Sequence, residues 1–295
     1  MESVELEHRW TQGDIHLVNN LYKTLNGISD EGQKVRTVWE DGEVAHTKKV
    51  FGVINEYDLR NGEFPVSSLR PTAWRSALKE TLWIYQEKSN DVNLLEEKYG
   101  VKYWRSWANK SGNLGLAYGA QLRYEHKYKE GYFNQIDRLI WDLKNNPYSR
   151  RMLTNLYNHD DIHDMTLVPC AFLTMWDYDG EHLNVTLVQR SSDYILAGSV
   201  NTSNYILLQH MIAQIAGMKV GKFHHYINNL HTYSRHFEAG YELLDRYSDT
   251  YDNLELELPK LIIEDSIKNF YDFKPEHFTL LNYKPMSQIK LEVAL

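Results

Sequence analysis

Two strand-like stretches flank a turn signal at the centre of the chain. Pro169 to Trp176 (PCAFLTMW) and Leu183 to Arg190 (LNVTLVQR) are rich in β-branched and aromatic residues, and Asp177 to Gly180 (DYDG) lies between them. This hairpin constrains the fold because it fixes which residues meet. A two-residue turn at Asp179-Gly180 pairs Tyr178 with Glu181. Counting back along the ladder sets Cys170 opposite Gln189 and next to Arg190, with a bulge shifting the register by one or two positions. Thr202 to Met218 follows as a central buried helix: Leu208, Met211, Ile212 and Ile215 form its core stripe, and Thr202 or Ser203 is its cap. Upstream, Asp14 to Leu25 spaces Ile15, Val18, Tyr22 and Leu25 as a helix stopped by Gly27. Thr47 to Asp58 reads as a strand, and Arg75 to Tyr85 as a helix apolar enough to be covered on both faces. The last third mixes short strands with loops and ends in Gln288 to Leu295, where Ile289, Leu291 and Val293 alternate as in a strand. No repeat, low-complexity tract or linker interrupts the chain, so residues 1–295 are expected to form a single domain.

Composition excludes several classes. Hydrophobic residues make up 42% and charged residues 24%, close to globular averages. A net charge of −8 argues against wholesale binding to a phosphate backbone such as DNA, while leaving room for a local basic pocket. No apolar run reaches the roughly 18 residues of a membrane span, and the polar start, MESVELEHRW, does not read as a signal peptide. One cysteine, Cys170, allows no internal disulfide and no multi-cysteine zinc site. A cytoplasmic protein of a reducing compartment is expected. The 21 Tyr and 8 Trp suit either an aromatic-lined pocket for a planar ligand or a large interface.

A lone cysteine is usually an inert core residue. Here the hairpin brings Arg190 to Cys170, and a guanidinium lowers a thiol pKa from about 8.5, which gives a nucleophile at neutral pH. Glu80 shares a helix face with Ala77, Trp83 and Ile84. Such a carboxylate is either desolvated, with a raised pKa or a partner, or solvated between two buried stripes; the spacing alone favours the solvated form. Arg150-Arg151, after the breaker Asn146-Pro147, suits solvent, or a phosphate held by an arginine fork. His231 and Tyr233 alternate along a strand and point to one side. His224-His225 and His159 to Asp164 (HDDIHD) invite a metal, but nothing completes a ligand set, so no metal is expected.

These stretches combine. KETLWIYQ around Glu80, YWRSWA around Trp104 and Trp107, LAYGAQLR around Tyr118, NPYSRR ending at Arg151, VPCAF at Cys170, QRSSD at Arg190 to Asp193 and NNLHTYSRH at His231 and Tyr233 follow in order. From about Ile28 to the C-terminus the chain resembles the folate-dependent, cysteine-nucleophile thymidylate synthase family. The resemblance implies an α/β two-layer fold, with a mixed β-sheet at a homodimer interface and helices packed on its other face. It implies reductive methylation of dUMP to dTMP, with 5,10-methylenetetrahydrofolate giving carbon and hydride and leaving as dihydrofolate, without flavin or metal.

Roles carry over residue by residue. Cys170 would be the thiolate adding to carbon 6 of uracil. Asn201, with Glu80 acting through water, would meet the charge on the ring oxygen, and Tyr118 would sit beside ring and thiol. An asparagine there favours uracil over cytosine. Arg36, Arg190 and Ser191 would grip the phosphate, joined by Arg150 and Arg151 from the other subunit, and His231 and Tyr233 would bind the sugar. Asp193 would bind the pterin. Trp104, Trp107, Leu167, Leu196 and Leu295 would line or close the folate pocket, and Arg70, where the family commonly has lysine, would lie near the folate tail. Departures gather on loops and the folate side. Ala171 follows the cysteine in place of histidine, Leu196 to Val200 (LAGSV) lacks the usual proline and phenylalanine, Asn228-Asn229 replaces Gly-Asp, and the Arg36 loop reads RTVWEDGEVAHT. Val200 motivates an alternative, a pyrimidine-nucleotide hydroxymethylase in which water replaces hydride. A non-catalytic nucleotide-binding paralogue is a second.

Overall fold

The computed structural model describes residues 10–249 and 257–294. In chain order the elements are α1 (Gln12–Leu25), β1 (Ile28–Ser29), β2 (Thr47–Asp58), α2 (Trp74–Thr81), α3 (Val92–Tyr99), β3 (His126–Tyr128), β4 (Gly131–Phe133), α4 (Gln135–Asn145), β5 (Leu153–Asn155), β6 (Ala171–Tyr178), β7 (His182–Asp193), α5 (Ser199–Ala216), β8 (Lys219–Tyr233), α6 (Phe237–Asp249), β9 (Lys260–Ile263) and β10 (Phe278–Leu281). Six strands form one sheet in the order β1-β2-β8-β7-β6-β5. Its ladders are antiparallel except β7 with β8, which run parallel, so the sheet is mixed. A parallel pair needs a crossover, and α5 supplies it.

Helices cover one face of the sheet. Tyr57, Leu187 and Phe223 share a core with Leu78 of α2 and with Leu208 and Ile212 of α5. Val53, Ile227 and Leu230 pack with Leu17 and Leu21 of α1 and Leu243 of α6. This is the expected two-layer arrangement. The opposite face carries Ile54, Leu153 and Met175 and, beyond the kink at Gly52 (φ +66°), Phe51, which is 83% exposed.

Helix α1 begins earlier than expected because Thr11 caps it: its hydroxyl accepts from the Asp14 amide, and the Asp14 carboxylate accepts in return. The helix expected over Arg75–Tyr85 is α2 followed by a π-helical turn, Leu82–Gln86. Thr202 and Ser203 are not caps. They lie inside α5, which starts at Ser199 after another π-helical turn, Tyr194–Gly198, where the Asp193 side chain accepts from the Leu196 amide. The last third is not only short strands and loops, since α6 forms there. The strand expected at Gln288 to Leu295 is absent among the described residues of that segment, which run without regular structure to Ala294.

The hairpin forms with a different register. Tyr178 pairs with Leu183, and Asp179 to His182 make the turn, in which the Asp179 carboxylate accepts from the amides of Glu181 and His182. A bulge between Ala171 and Leu173 then sets Ala171 opposite Gln189. Cys170 therefore faces Arg190, one position from the expected partner, and the Arg190 amide donates to its carbonyl at 2.9 Å.

Candidate active site

Cys170 sits at the start of β6, at the end of the sheet where β7 runs into α5. The Arg190 guanidinium spans the segment before it: Nε donates to the Pro169 carbonyl at 3.0 Å, Nη2 to the Val168 carbonyl at 2.7 Å, and Nη2 also lies 3.4 Å from Cys170 Sγ. Nη1 has no protein partner among the described residues. The expected depression of the thiol pKa does not appear. Burial pushes the Cys170 thiol up, and the pull of Arg190 offsets this only in part.

Tyr118 opens the turn after Ala117 with φ +50°, a strained conformation for a bulky residue. Burial raises its pKa well above the usual phenol value, and the nearby Cys170 adds to the rise while its backbone offers a hydrogen bond. The Tyr118 ring meets the Trp104 ring edge-on, with centroids 4.9 Å apart. Trp104 Nε1 donates to Glu80 Oε2 at 2.7 Å, the Tyr103 hydroxyl donates to the same oxygen, and Asn204 Nδ2 reaches Oε1 at 3.4 Å. Glu80 is thus not the solvated carboxylate its spacing favoured. It is 5% exposed, and burial raises its pKa against these three donors. Cys170, Tyr118, Trp104 and Glu80 form one contiguous line.

Strands β7 and β8 place the polar wall. Asp193 pairs with His231 across the parallel ladder. The His231 ring, buried and lowered in pKa by that burial, lies 3.0 Å from Asn229 Oδ1 through Nδ1. Tyr233 is pushed up to about 12, mainly by burial, and its hydroxyl bonds the Thr37 side chain in the Arg36 loop. Asn201, in the first turn of α5, accepts from Gln189 Nε2 at 3.1 Å. Ser191 lies on β7 just past Arg190, and Arg36 is exposed on its loop. Arg150 and Arg151 are exposed before β5, and their guanidinium groups have no partner among the described residues of their own chain.

On the remaining side, Arg70 Nη1 donates to the Ile195 carbonyl at 2.9 Å; burial lowers its pKa while Asp193 opposes that. Leu167 and Trp107 pack partly exposed against the core, Leu196 begins beside Asp193, and Leu295 lies outside the described residues. His224 and His225 point to opposite sheet faces, which separates them as ligands. In the HDDIHD stretch, Asp161 is occupied by Gln121, Tyr124 and Asn158. Among the described residues no group of three or more His, Cys, Asp or Glu converges to hold a metal.

Sequence reasoning overlooked Tyr103 and Asn204, and it named Gln189 and His225 only as a ladder position and as half of a rejected metal pair. Tyr103 lay in the YWRSWA stretch and Gln189 in QRSSD, but only their partners' positions in space reveal their use. Asn204 follows Asn201 by three residues, so α5 presents both on one face, a spacing that could have pointed to it.

The sequence model of the family described as "Thymidylate synthase" matches residues 19–295. The chain is 40% identical over 294 residues to thymidylate synthase of Lactococcus lactis subsp. cremoris, a match covering 97% of this chain and 100% of that protein. The enzyme of Streptococcus sanguinis matches at 40% identity over the same shares. A solved thermostable thymidylate synthase A from Bacillus subtilis superposes with a TM-score of 0.88 at 37% identity, covering 96% of this chain and 99% of that one. With the fold, the extent of the match and the line from Cys170 to Glu80 in agreement, the chain belongs to the thymidylate synthase family.

Proposed function

We propose that the chain converts dUMP to dTMP, taking both a one-carbon unit and a hydride from 5,10-methylenetetrahydrofolate and releasing dihydrofolate. The observation that carries this reading is Cys170 Sγ within 3.4 Å of Arg190 Nη2, at one end of a buried line that reaches Glu80. Carbon 5 of uracil is a poor nucleophile. Once the Cys170 thiol has lost its proton, sulfur adds to carbon 6, and the ring becomes an enolate whose carbon 5 attacks the folate methylene. Asn201 meets the charge on the ring oxygen. Glu80, held toward its neutral form by burial, acts as an acid through water. Loss of the carbon 5 proton to water and expulsion of tetrahydrofolate leave an exocyclic methylene. That tetrahydrofolate then gives it a hydride and becomes dihydrofolate, and the returning electron pair of the ring expels the sulfur as thiolate.

Arg190 Nη1, Ser191 and Arg36 bind the phosphate in this scheme, His231 and Tyr233 the sugar, and Tyr118 borders the reacting ring. Asp193 binds the pterin, with Trp104, Trp107, Leu167, Leu196, Leu295 and Arg70 around the folate. We assign a homodimer through the open sheet face, because Phe51, Ile54, Leu153 and Met175 leave apolar surface there, and Arg150 and Arg151, exposed and without a partner among the described residues, lie just before its edge strand β5. In that dimer both arginines reach the phosphate of the opposite subunit. The test is absorbance detection of dihydrofolate with dUMP and methylenetetrahydrofolate. Turnover of dUMP without dihydrofolate overturns the synthase reading in favour of a hydroxymethylase. Absence of a covalent 5-fluoro-dUMP adduct on Cys170 overturns the nucleophile.

A further inference from the structure

Uracil and cytosine differ by inversion of a hydrogen-bond pattern. Uracil offers a carbonyl oxygen at carbon 4 and an N–H at position 3; cytosine offers an amino group and a bare nitrogen. An asparagine amide inverts its own pattern by a half-turn about its last bond, so an unrestrained Asn201 fits either base. Selection of uracil requires that this half-turn be forbidden.

The structure contains a device that forbids it. The main-chain carbonyl of Ser191 only accepts, and Gln189 Nε2 donates to it at 2.9 Å, which fixes which end of the Gln189 amide is nitrogen. The same nitrogen donates to Asn201 Oδ1 at 3.1 Å. Gln189 Oε1 then faces His225 Nε2 at 2.8 Å, so that ring nitrogen carries the proton. His225 Nδ1 is left as the acceptor, 3.3 Å from the Thr202 hydroxyl. Burial pushes His225 down to about 3, so the ring is neutral and its tautomer is the one the partners dictate. Gln189, His225 and Thr202 are all buried, and the ring of bonds closes on neighbouring residues of α5, Asn201 and Thr202. A swapped Asn201 amide would set its NH₂ against the NH₂ of Gln189.

We infer that Gln189, held by His225 and the Ser191 carbonyl, is the positioning residue that sets selection of uracil over cytosine by locking the Asn201 amide. This rests on the reading of Asn201 as the base-binding residue. Gln189→Glu keeps the shape and the acceptor for His225 but turns a second oxygen toward Ser191 and Asn201. Asn201 then rotates its NH₂ onto that oxygen and presents Oδ1 to the base. His225→Phe leaves the Gln189 oxygen unpaired and loosens the lock, and His225→Gln restores a donor.

The experiment titrates dUMP and dCMP into wild type and variants, following tryptophan fluorescence, and reads the ratio of the two dissociation constants. General damage weakens both nucleotides and leaves that ratio unmoved. Gln189→Glu is expected to lower the preference for dUMP by about tenfold or more. His225→Phe lowers it by less, and His225→Gln returns it toward wild type. A wild type that binds no dUMP overturns the nucleotide reading itself. A wild type that binds dUMP, with a folded Gln189→Glu variant showing an unchanged ratio, overturns the lock. If Gln189→Glu does not fold, the His225 pair decides: equal ratios in His225→Phe and wild type overturn it.

Discussion

Replacing Glu80 by glutamine tests whether burial, rather than its hydrogen bonds, governs that carboxylate. Oε2 accepts from Trp104 and Tyr103, while Oε1 has only the long contact from Asn204 at 3.4 Å. A glutamine placing its oxygen at the Oε2 position keeps both strong bonds and sets its NH₂ near Asn204, at a cost of about 0.5–1 kcal/mol. Against this, burying a polar group short of partners costs about 1–3 kcal/mol, and more once it is charged, whereas the amide never ionises. Because the folded pKa of Glu80 lies above its unfolded value, its contribution to stability is full below the unfolded pKa and is lost as pH rises through the folded one. Glu80→Gln escapes that loss. The variant should therefore match or fall slightly below wild type near pH 4 and exceed it at about pH 8 by about 1–2 kcal/mol, worth about 2–4 °C of Tm per kcal/mol. Thermal unfolding of both proteins across that range reads the difference, and turnover of dUMP should be largely lost. A Tm difference that does not change with pH, or a variant less stable at alkaline than at acid pH relative to wild type, refutes the reasoning.

Other perturbations are expected to separate packing from chemistry. Arg190→Lys cannot span the Val168 and Pro169 carbonyls together, so it should lose about 1–3 kcal/mol of stability. It should also slow iodoacetamide alkylation of Cys170 near neutral pH, because the thiolate fraction falls; an unchanged rate denies that Arg190 acts on the sulfur. Gly119→Ala drives a methyl group into the Ser89 carbonyl beside Tyr118, and a drop of about 2 kcal/mol or more by denaturant titration is expected. If the proposed homodimer forms through the open sheet face, Phe51→Asp, at the most exposed apolar position there, should shift sedimentation from dimer to monomer, and a wild type that sediments as a monomer overturns the dimer itself. Retention of the dimer places the interface elsewhere.

What local rules could see explains what was legible. The span Thr47 to Asp58 was readable to the residue because alternation and β-branching act within the segment itself. The approach of Cys170 to Arg190 was readable because a hairpin converts sequence distance into contact, and its one-position error came from a four-residue turn, held by the Asp179 carboxylate, and from a bulge between Ala171 and Leu173. Helix α6 was missed in a stretch whose polar residues hide Leu243 until α1 and the sheet provide something to pack against. The start of α5 was misplaced for a related reason: Thr202 looked like a cap because threonine competes for backbone amides, yet here its hydroxyl is drawn to His225 on β8. The same limit governs the site. Glu80 changes from a solvated to a buried carboxylate through Tyr103, Trp104 and Asn204, which lie 23, 24 and 124 residues away along the chain. No periodicity within a helix reports donors that arrive from other elements. An acid in such a line is therefore tuned by residues whose own segments give no sign of it, so substitutions at Tyr103 and Asn204 should alter the titration of Glu80 while leaving α2 intact.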